Sequence, residues 1–283
     1  MVEILSSGMY TTIQDKGRFG FSKFGVPQSG AMDKRSFKLA NALLGNDENC
    51  AVIEWMIMPP ILKFYEESVI VLTGVICDPY MNDQPVKFNQ PLLVNKGDVL
   101  RLKNISKGVF GYVGIKNGFC ANRVLNSRSQ YKNITASEKL VKTDKISYSS
   151  YCGFSTSLSS VKIEDDWLGL EVLEVYPGPE YDLLSDTEKT SILMGDFTIS
   201  NESGRMAISM NEVFKNNLTS MISVPVLPGT VQLTPSGRLI ILMRDCQTTG
   251  GYPRIFQLSE EAINVIAQKR VSEGVKFKML SSF

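Results

Sequence analysis

The chain has 283 residues and a mass of 31.4 kDa, and its 43% apolar and 21% charged residues are typical of a globular protein. Lys and Arg number 30 and Asp and Glu 29, so no net charge attracts the chain to nucleic acid or to an anionic membrane. No apolar stretch approaches the roughly 20 residues that cross a bilayer, and residues 1–8 do not resemble a secretory signal. We therefore expect a cytoplasmic protein.

The sequence contains no histidine, which is the commonest general base near neutral pH and a frequent metal ligand. Ser-His-Asp and Cys-His catalysis are therefore excluded for this chain alone. The cysteines are scattered without a paired spacing, so we expect no metal site and reduced, mostly buried thiols. They are Cys50, Cys77, Cys120, Cys152 and Cys246.

Short β runs separated by turn residues dominate the hydrophobic pattern. In chain order, strands are predicted at residues 2–5, 52–57, 61–65, 68–76, 91–94, 99–102, 109–115, 171–176, 197–200, 206–210, 229–233, 239–243 and 275–280. Helical spacing predicts a helix at 32–44, capped by Gly45, and another at 259–270, with Ser259 as its N-cap. A short turn is expected at 180–185.

Two runs, 95–98 and 234–237, are typical of hairpin turns between strands. Many short strands with only two helices predict a mainly β protein built from a barrel or sandwich. The polar stretch 147–166 is the best candidate linker. We therefore predict an N-terminal lobe over residues 1–160 and a C-terminal lobe over residues 161–283.

The densest group of polar and glycine residues lies at 11–20 and 25–33, between a strand and the first helix. Glycines let the backbone come close to a ligand, and such loops often carry sites. The N–H groups of Ser29 and Gly30, just ahead of the helix, suit an anion such as a carboxylate. The structural alternative is a tight loop in which Asp15 and Arg18 pair with each other.

A second polar loop at 245–255 follows the strand at 239–243. Gln247, Thr248 and Thr249 offer neutral donors and acceptors, and Arg254 could hold a carboxylate or phosphate in a bidentate manner. The alternative is a β-bulge whose hydroxyls are buried and satisfied.

Three further polar residues stand in less informative surroundings. Arg128 and Arg205 each lie among small residues in a loop, where an isolated arginine usually forms a surface contact. Glu54 interrupts an apolar strand and needs a partner, either a structural arginine or a site in which its pKa is raised.

Two absent motifs limit the chemistry. The sequence has no GxxxxGK[ST] phosphate loop and no GxGxxG strand–helix motif, so it carries neither nucleotide fingerprint. It also lacks the lysine hairpin that receives biotin or lipoyl groups. We expect no covalently bound cofactor on this chain.

A series of motifs runs along the whole chain: TIQD (12–15), GRFG (17–20), SGAMD (29–33), LTG (72–74), SRS (127–129), YPGP (176–179), PGTVQ (228–232) and QTTGGYPR (247–254). Together they resemble the biotin-dependent carboxyltransferase family, which includes the C subunit of 5-oxoprolinase, KipA-like proteins and allophanate hydrolase subunit 2. Departures from the family pattern fall at 117–120, at Asn126 and at 204–207, so the choice of amide-like substrate stays open.

The resemblance implies cyclophilin-like β-barrel lobes and a partner, the KipI-like B subunit of the same enzyme. Together with the A subunit, which handles ATP, such proteins convert 5-oxoproline to glutamate. Two other roles remain open. One is a regulatory protein that antagonises a KipI-like inhibitor of a sensor histidine kinase. The other is a carboxyltransferase half-site that uses carboxybiotin from a separate carrier.

The matched motifs also imply a site, which we expect in one polar cleft formed by the two glycine-rich loops. The candidate catalytic residues are Asp15, Glu54 and Gln247, and Asp33 is an alternative to Glu54 for proton transfer. The candidate substrate-binding residues, for a small amide or lactam, are Gln14, Arg18, Ser29, Gly30, Arg128, Arg205, Thr248, Thr249, Tyr252 and Arg254. Backbone amides near Gly30 and Gly250 could stabilise an oxyanion.

Overall fold

A computed structural model describes residues 1–153 and 166–280, which form two compact units. The first unit holds Met1–Arg18 and residues 29–153, and the second holds Phe19–Gln28 and residues 166–280. The predicted lobe boundary and most of the predicted linker lie outside the described residues, so division at residue 160 stays a prediction. The segment Phe19–Gln28, which the sequence assigned to the N-terminal lobe, groups with the second unit.

The described part of the first unit consists of strands and one α-helix. They are β1 (Val2–Ser6), β2 (Tyr10–Gln14), α1 (Lys34–Leu43), β3 (Val52–Met56), β4 (Ile61–Phe64), β5 (Ser68–Thr73), β6 (Ile76–Met81), β7 (Gln84–Pro85), β8 (Leu92–Val94), β9 (Val99–Lys107), β10 (Phe110–Ile115), β11 (Phe119–Cys120) and β12 (Lys145–Tyr148).

These strands form two sheets, in the orders β11-β12-β1-β4-β9-β6-β7 and β2-β3-β10-β5-β8. Because successive side chains of a strand point to opposite faces, each face of the five-stranded sheet has its own character. Ile13, Ile53 and Val113 join apolar residues of the seven-stranded sheet in one core cluster. The opposite face contacts α1 and carries the polar residues described below.

Helix α1 begins one residue after Asp33, whose side chain accepts a hydrogen bond from Ser36 N at 3.0 Å. Such a cap satisfies one of the donors that a helix start leaves without an intrahelical partner. Phe37 and Ala40 are buried, as the three- and four-residue spacing predicted. The helix ends before Gly45, which has the left-handed conformation expected of it (φ 56°).

The second unit has nine described strands, two α-helices and three short 3₁₀ helices. These are β13 (Val172–Pro177), α2 (Asp186–Met194), β14 (Phe197–Thr198), β15 (Ala207–Val213), β16 (Val224–Pro225), β17 (Thr230–Leu233), β18 (Arg238–Leu242), β19 (Thr249–Gly250), β20 (Arg254–Leu258), α3 (Glu260–Ala267) and β21 (Gly274–Met279), with 3₁₀ turns at Ser22–Phe24, Asp166–Gly169 and Tyr181–Leu183.

Seven of these strands form one sheet in the order β14-β21-β13-β20-β17-β18-β15. Immediately after β14, Ile199 forms an antiparallel bridge with Met210 of β15, so the two edges of the sheet meet and the sheet nearly closes into a barrel. Strands β16 and β19 form a separate two-stranded sheet. The prediction of a mainly β protein with barrel lobes is confirmed.

Some local predictions are wrong. Helix α2 was missed: apart from its capping box, Ser185 with Glu188, it has little helical periodicity, and Ile192 is its one buried residue. Residues 11–14 belong to strand β2, and the C-terminal loop ends in strand β20.

Of the two predicted hairpin turns, one is confirmed. Residues 234–237 join the antiparallel neighbours β17 and β18. Residues 95–98 instead connect β8 of one sheet to β9 of the other, so no hairpin forms there. A turn sequence specifies a reversal of the chain, and it does not specify whether the flanking strands pair.

All five cysteines are free, but Cys246 alone is buried and Cys120 and Cys152 are exposed, contrary to the expectation of mostly buried thiols. None of the helices within the described residues is long and apolar enough to cross a membrane.

Candidate functional site

The carboxylate of Asp15 is a hub of hydrogen bonds in the first unit, although it is only 2% exposed. Its Oδ1 accepts from Gly17 N at 2.8 Å, Ser127 Oγ at 2.6 Å and Ser129 Oγ at 2.7 Å. Its Oδ2 accepts from Arg128 N at 2.6 Å. We call these five residues the Asp15 cluster. Four donors from two loops surround the carboxylate, so the geometry suits it to hold those two loops together.

The cluster also fixes the two arginines predicted from this region. The Arg18 guanidinium donates to the carbonyl of Ser129, and the Arg128 guanidinium donates to the carbonyl of Ala121. Arg18 is 1% exposed. Both side chains therefore bridge separate segments of the chain, and their role toward a substrate carboxylate stays a prediction.

The SGAMD motif packs directly on the turn after Asp15. Ala31 N donates to Asp15 O at 3.1 Å. Gly30 has φ of 89°, and a Cβ there would lie 2.9 Å from Lys16 O. Glycine is required at this position by both the backbone conformation and the close approach.

A row of buried polar residues crosses four strands of the five-stranded sheet. Thr12 of β2 pairs with Glu54 of β3, Glu54 pairs with Tyr112 of β10, and Tyr112 pairs with Thr73 of β5. All four are at most 2% exposed. Residues in register share a face, so these side chains form one polar layer under the segment that leads into α1.

That layer closes the start of α1 with the chain's own acceptors. Met32 N donates to Glu54 Oε2 and Asp33 N donates to the Tyr112 hydroxyl, both at 2.8 Å. Burial first, and then the negative charges of Glu54 and Asp33, raise the pKa of Tyr112 well above its usual value. An anion at this helix start would therefore meet two carboxylates, which disfavours the anion site expected at Ser29 and Gly30.

Glu54 thus has partners of the kind that a buried carboxylate needs. They include a backbone N–H and a tyrosine, whereas the sequence suggested a structural arginine or a site of raised pKa. Its proposed part in proton transfer stays a prediction, as does that of Asp33.

Two polar atoms near the Asp15 cluster have no hydrogen-bond partner, Gln14 Oε1 and Ser29 Oγ. Gln14 is 0% exposed and Ser29 is 1% exposed. Leaving a buried polar group unsatisfied costs about 1–3 kcal/mol, so such groups in a native protein call for an explanation.

In the second unit, the two predicted arginines form bidentate ion pairs. Arg205 donates to Asp245 through Nε at 2.7 Å and Nη2 at 3.1 Å. Arg254 donates to Glu180 through Nε at 2.9 Å and Nη2 at 2.8 Å, and its Nη1 reaches Pro225 O at 3.0 Å. The Arg254 side-chain hydrogen bond is the main reason that the pKa of Glu180 is lowered. Both guanidinium groups are thus already paired with carboxylates of the chain. Substrate binding by these arginines stays a prediction.

The QTTGGYPR loop presents its remaining groups more openly. Gln247 and Thr248 are partly buried, whereas Thr249 and Tyr252 are exposed. Gln247 Oε1 is a buried acceptor without a partner. A register shift does occur where the loop ends, between Val231 and Gln232 in the pairing of β17 with β20, but the exposure of Thr249 contradicts the buried hydroxyls of the β-bulge alternative.

Asp15 belongs to the first unit and Gln247 to the second, so their meeting in one cleft stays a prediction. Sequence reasoning placed Ser127 and Ser129 in the SRS motif without a role, and it did not predict Glu180 or Asp245 as partners of the arginines. Within residues 1–153 and 166–280, no three His, Cys, Asp or Glu side chains form a metal-ligand set.

Comparison with known proteins identifies the family. The model of the carboxyltransferase domain, subdomain A and B, matches residues 24–279. The chain therefore belongs to the carboxyltransferase-domain family, in agreement with the resemblance carried by its motifs.

Among curated relatives, the 5-oxoprolinase C subunit of Haemophilus influenzae is 30% identical over 293 residues, covering 99% of this chain and 92% of the relative. The 5-oxoprolinase C subunit of Escherichia coli is 30% identical over 287 residues, with the same coverage. The urea amidolyase of Lachancea kluyveri is 40% identical over 130 residues, which are 46% of this chain and 7% of that protein.

Solved structures share the fold. The Kluyveromyces lactis urea carboxylase gives a TM-score of 0.87 at 23% identity, over 99% of this chain and 27% of that one. The protein TTHA0988 gives 0.87 at 22% identity, over 98% of this chain. This chain spans 55% of TTHA0988, about half of its length.

Proposed function

We propose that the chain is the C subunit of a 5-oxoprolinase-type complex, which opens the lactam of 5-oxoproline to glutamate together with the A and B subunits. The observation that carries the proposal is the 30% identity with two 5-oxoprolinase C subunits over 99% of this chain. The B subunit is KipI-like in this proposal, and the complex is cytoplasmic.

The chemistry of the chain fits a part of that reaction. Opening the lactam breaks the C–N bond of the ring amide by addition of water, and ATP hydrolysis drives it. This chain has no phosphate loop and no histidine, so we assign ATP handling to the A subunit. What the chain supplies is a set of polar groups that binds and orients the amide.

The roles within that surface follow the contacts. Asp15 is a positioning residue, because its carboxylate is saturated by donors from two loops. Gln14 and Ser29 contact the substrate. The loop that carries Gln247, Thr248 and Thr249 offers further neutral groups, and backbone amides near Gly250 are candidate oxyanion donors.

The test is ATP-dependent consumption of 5-oxoproline by purified subunits, with this chain present and omitted. We expect turnover only when all three subunits and ATP are present. The control adds this chain carrying Asp15→Asn, which should restore little of the rate. Equal rates with and without the chain contradict the proposal, and tight binding to the KipI-like subunit in that case would favour the regulatory role.

A second function is favoured by one observation, the 40% identity with urea amidolyase over 130 residues. In this case the chain is a half-site that transfers a carboxyl group from carboxybiotin on a separate carrier. Radiolabelled carboxybiotin on that carrier should lose its label to an amide acceptor when this chain is added. Retention of the label on the carrier excludes this second function.

A further inference from the structure

Gln14 is oriented by neighbours that fix which end of its amide faces the protein. Its Nε2 donates to Thr12 Oγ1 at 3.0 Å and to the carbonyl of Gln130 at 3.4 Å. A carbonyl oxygen can only accept, so the nitrogen must face Gln130. Oε1 therefore points away from these partners, and it is the atom without a hydrogen bond.

Ser29 directly precedes two residues that pack on the backbone following Gln14: Ala31 N donates to Asp15 O at 3.1 Å, and a Cβ on Gly30 would lie 2.9 Å from Lys16 O. Gln14 contacts Thr12, which is two residues away on the same face of β2. Thr12 is in register with Glu54, and Glu54 accepts a hydrogen bond from Met32, three residues after Ser29. The two unmatched groups are thus an acceptor on strand β2 and a hydroxyl in the segment that packs on the turn after this strand.

We infer that Gln14 Oε1 is a specificity-determining acceptor for the N–H of a small cyclic secondary amide, with the Ser29 hydroxyl donating to the adjacent carbonyl. A five-membered lactam or cyclic urea holds its N–H and C=O on one edge, so it can engage one acceptor and one donor at the same time. The layer around them disfavours anions because Glu54 and Asp33 lie in it, so the neutral amide edge is the part of the ligand that binds here.

This inference takes its substrate class from the proposed function. It adds the atom that recognises the N–H of the ring, Gln14 Oε1. Both groups are buried, so the ring can enter only if the residues around them rearrange. A site built to bond an N–H rejects an analogue without it strongly, because the buried acceptor is then left unmatched.

The experiment compares ligands that differ at one ring atom. 5-Oxoproline and 5-oxotetrahydrofuran-2-carboxylate share the carboxylate and carbonyl, but a ring oxygen replaces the N–H in the second. Imidazolidin-2-one is a cyclic urea with the same adjacent N–H and C=O groups, and it tests whether a urea ring binds in place of the lactam. Binding to the full chain, alone and in the complex with its partner subunits, is measured by calorimetry and competition.

We expect the lactone acid to bind at least about 100-fold more weakly than 5-oxoproline. Gln14→Met should reduce this ratio to near 1. Gln268→Met, which changes another glutamine that is 1% exposed, should leave it intact. If Gln14→Met does not fold, the ratio measured on the unaltered chain still decides.

Equal affinities for lactam and lactone, or no binding of any of the three ligands, would overturn the inference. So would a crystal structure in which an ordered water donates to Gln14 Oε1 and stays there with 5-oxoproline bound. Turnover of 5-oxoproline with equal affinities leaves the proposed function standing. Selective binding of the N–H ligands without turnover supports the inference and contradicts the proposed function. In that case, a preference for imidazolidin-2-one identifies a cyclic urea as the ligand.

Discussion

The two units bury their charged groups in different ways. In the first unit, the Asp15 carboxylate is held by hydroxyls and backbone N–H groups, and two nearby polar atoms remain unmatched. In the second, Arg205 and Arg254 are each matched by a carboxylate in a bidentate pair. Groups that hydrogen-bond to one another have little remaining hydrogen-bonding capacity for a ligand, whereas unmatched groups keep theirs. The contrast assigns the arginine pairs to the architecture, and it leaves Gln14 and Ser29 in the first unit and Gln247 in the second with binding capacity.

The largest effect should come from breaking the Arg205–Asp245 pair. Its side chains are 7% and 9% exposed, so Arg205→Met leaves a buried carboxylate without its cation and should destabilise the chain by about 3–5 kcal/mol. Urea unfolding measures the change. The double variant Arg205→Met/Asp245→Leu should cost less than Arg205→Met alone, because no charge is left behind. Additive costs would show that the two residues do not stabilise each other.

Asp15→Asn comes next, at about 2–4 kcal/mol. The amide nitrogen of asparagine must face at least one of the four donors, and a buried donor is then left without an acceptor. Asp47→Asn is the matched control, since Asp47 is exposed and accepts one hydrogen bond from Asn49 N; it should change stability by less than about 0.5 kcal/mol. A similarly small loss of stability in both variants would show that Asp15 does not hold the two loops together.

These contacts also explain why the sequence predicted the strands better than the site. Apolar strands such as β5 and β18 are recognisable because burial shows in consecutive residues. The partners of Asp15 in the SRS motif lie 112 to 114 residues further along the chain, a distance that no local pattern spans. Strand β2 was missed because the face opposite Ile13 carries Thr12 and Gln14, which a hydrophobic pattern assigns to a loop although both are buried.

The family motifs drew attention to polar residues that the hydrophobic periodicity did not single out. They located Gln14, Asp15 and Ser29 as one family feature, although their roles could not be derived. Whether a polar residue binds a ligand or another part of the chain depends on what lies opposite it. Arg254 was expected to bind a substrate carboxylate or phosphate. Its guanidinium instead binds the carboxylate of Glu180, 74 residues earlier in the chain.

A smaller effect tests the contact between the SGAMD motif and the Asp15 turn. Gly30→Ala introduces a side chain at φ of 89° and places its Cβ 2.9 Å from Lys16 O, so we expect a loss of about 2–3 kcal/mol. Gly20 has nearly the same φ, 88°, with open space around a Cβ, and Gly20→Ala should cost only about 1 kcal/mol. Thermal unfolding compares the two. Equal losses would mean that the close approach contributes nothing beyond the backbone conformation.

The smallest effect concerns pH and the pair of Glu180 with Arg254. The hydrogen bond from Arg254 lowers the pKa of Glu180 in the folded chain, so the unfolded chain takes up a proton first as the pH falls. The contribution of the pair is therefore complete above the ordinary glutamate pKa and is lost as the pH falls through the lowered one. Glu180→Gln should cost about 1 kcal/mol at neutral pH and nothing in acid.

Urea unfolding at a series of pH values measures that convergence. Glu202→Gln is the control, because its pair with Arg238 is exposed (69% and 39%) and is expected to contribute little at any pH. Parallel stability curves for the unaltered chain and Glu180→Gln would mean that Arg254 does not depend on this carboxylate. Its guanidinium would then be available to a ligand, and Arg254 would return to the candidate substrate-binding residues.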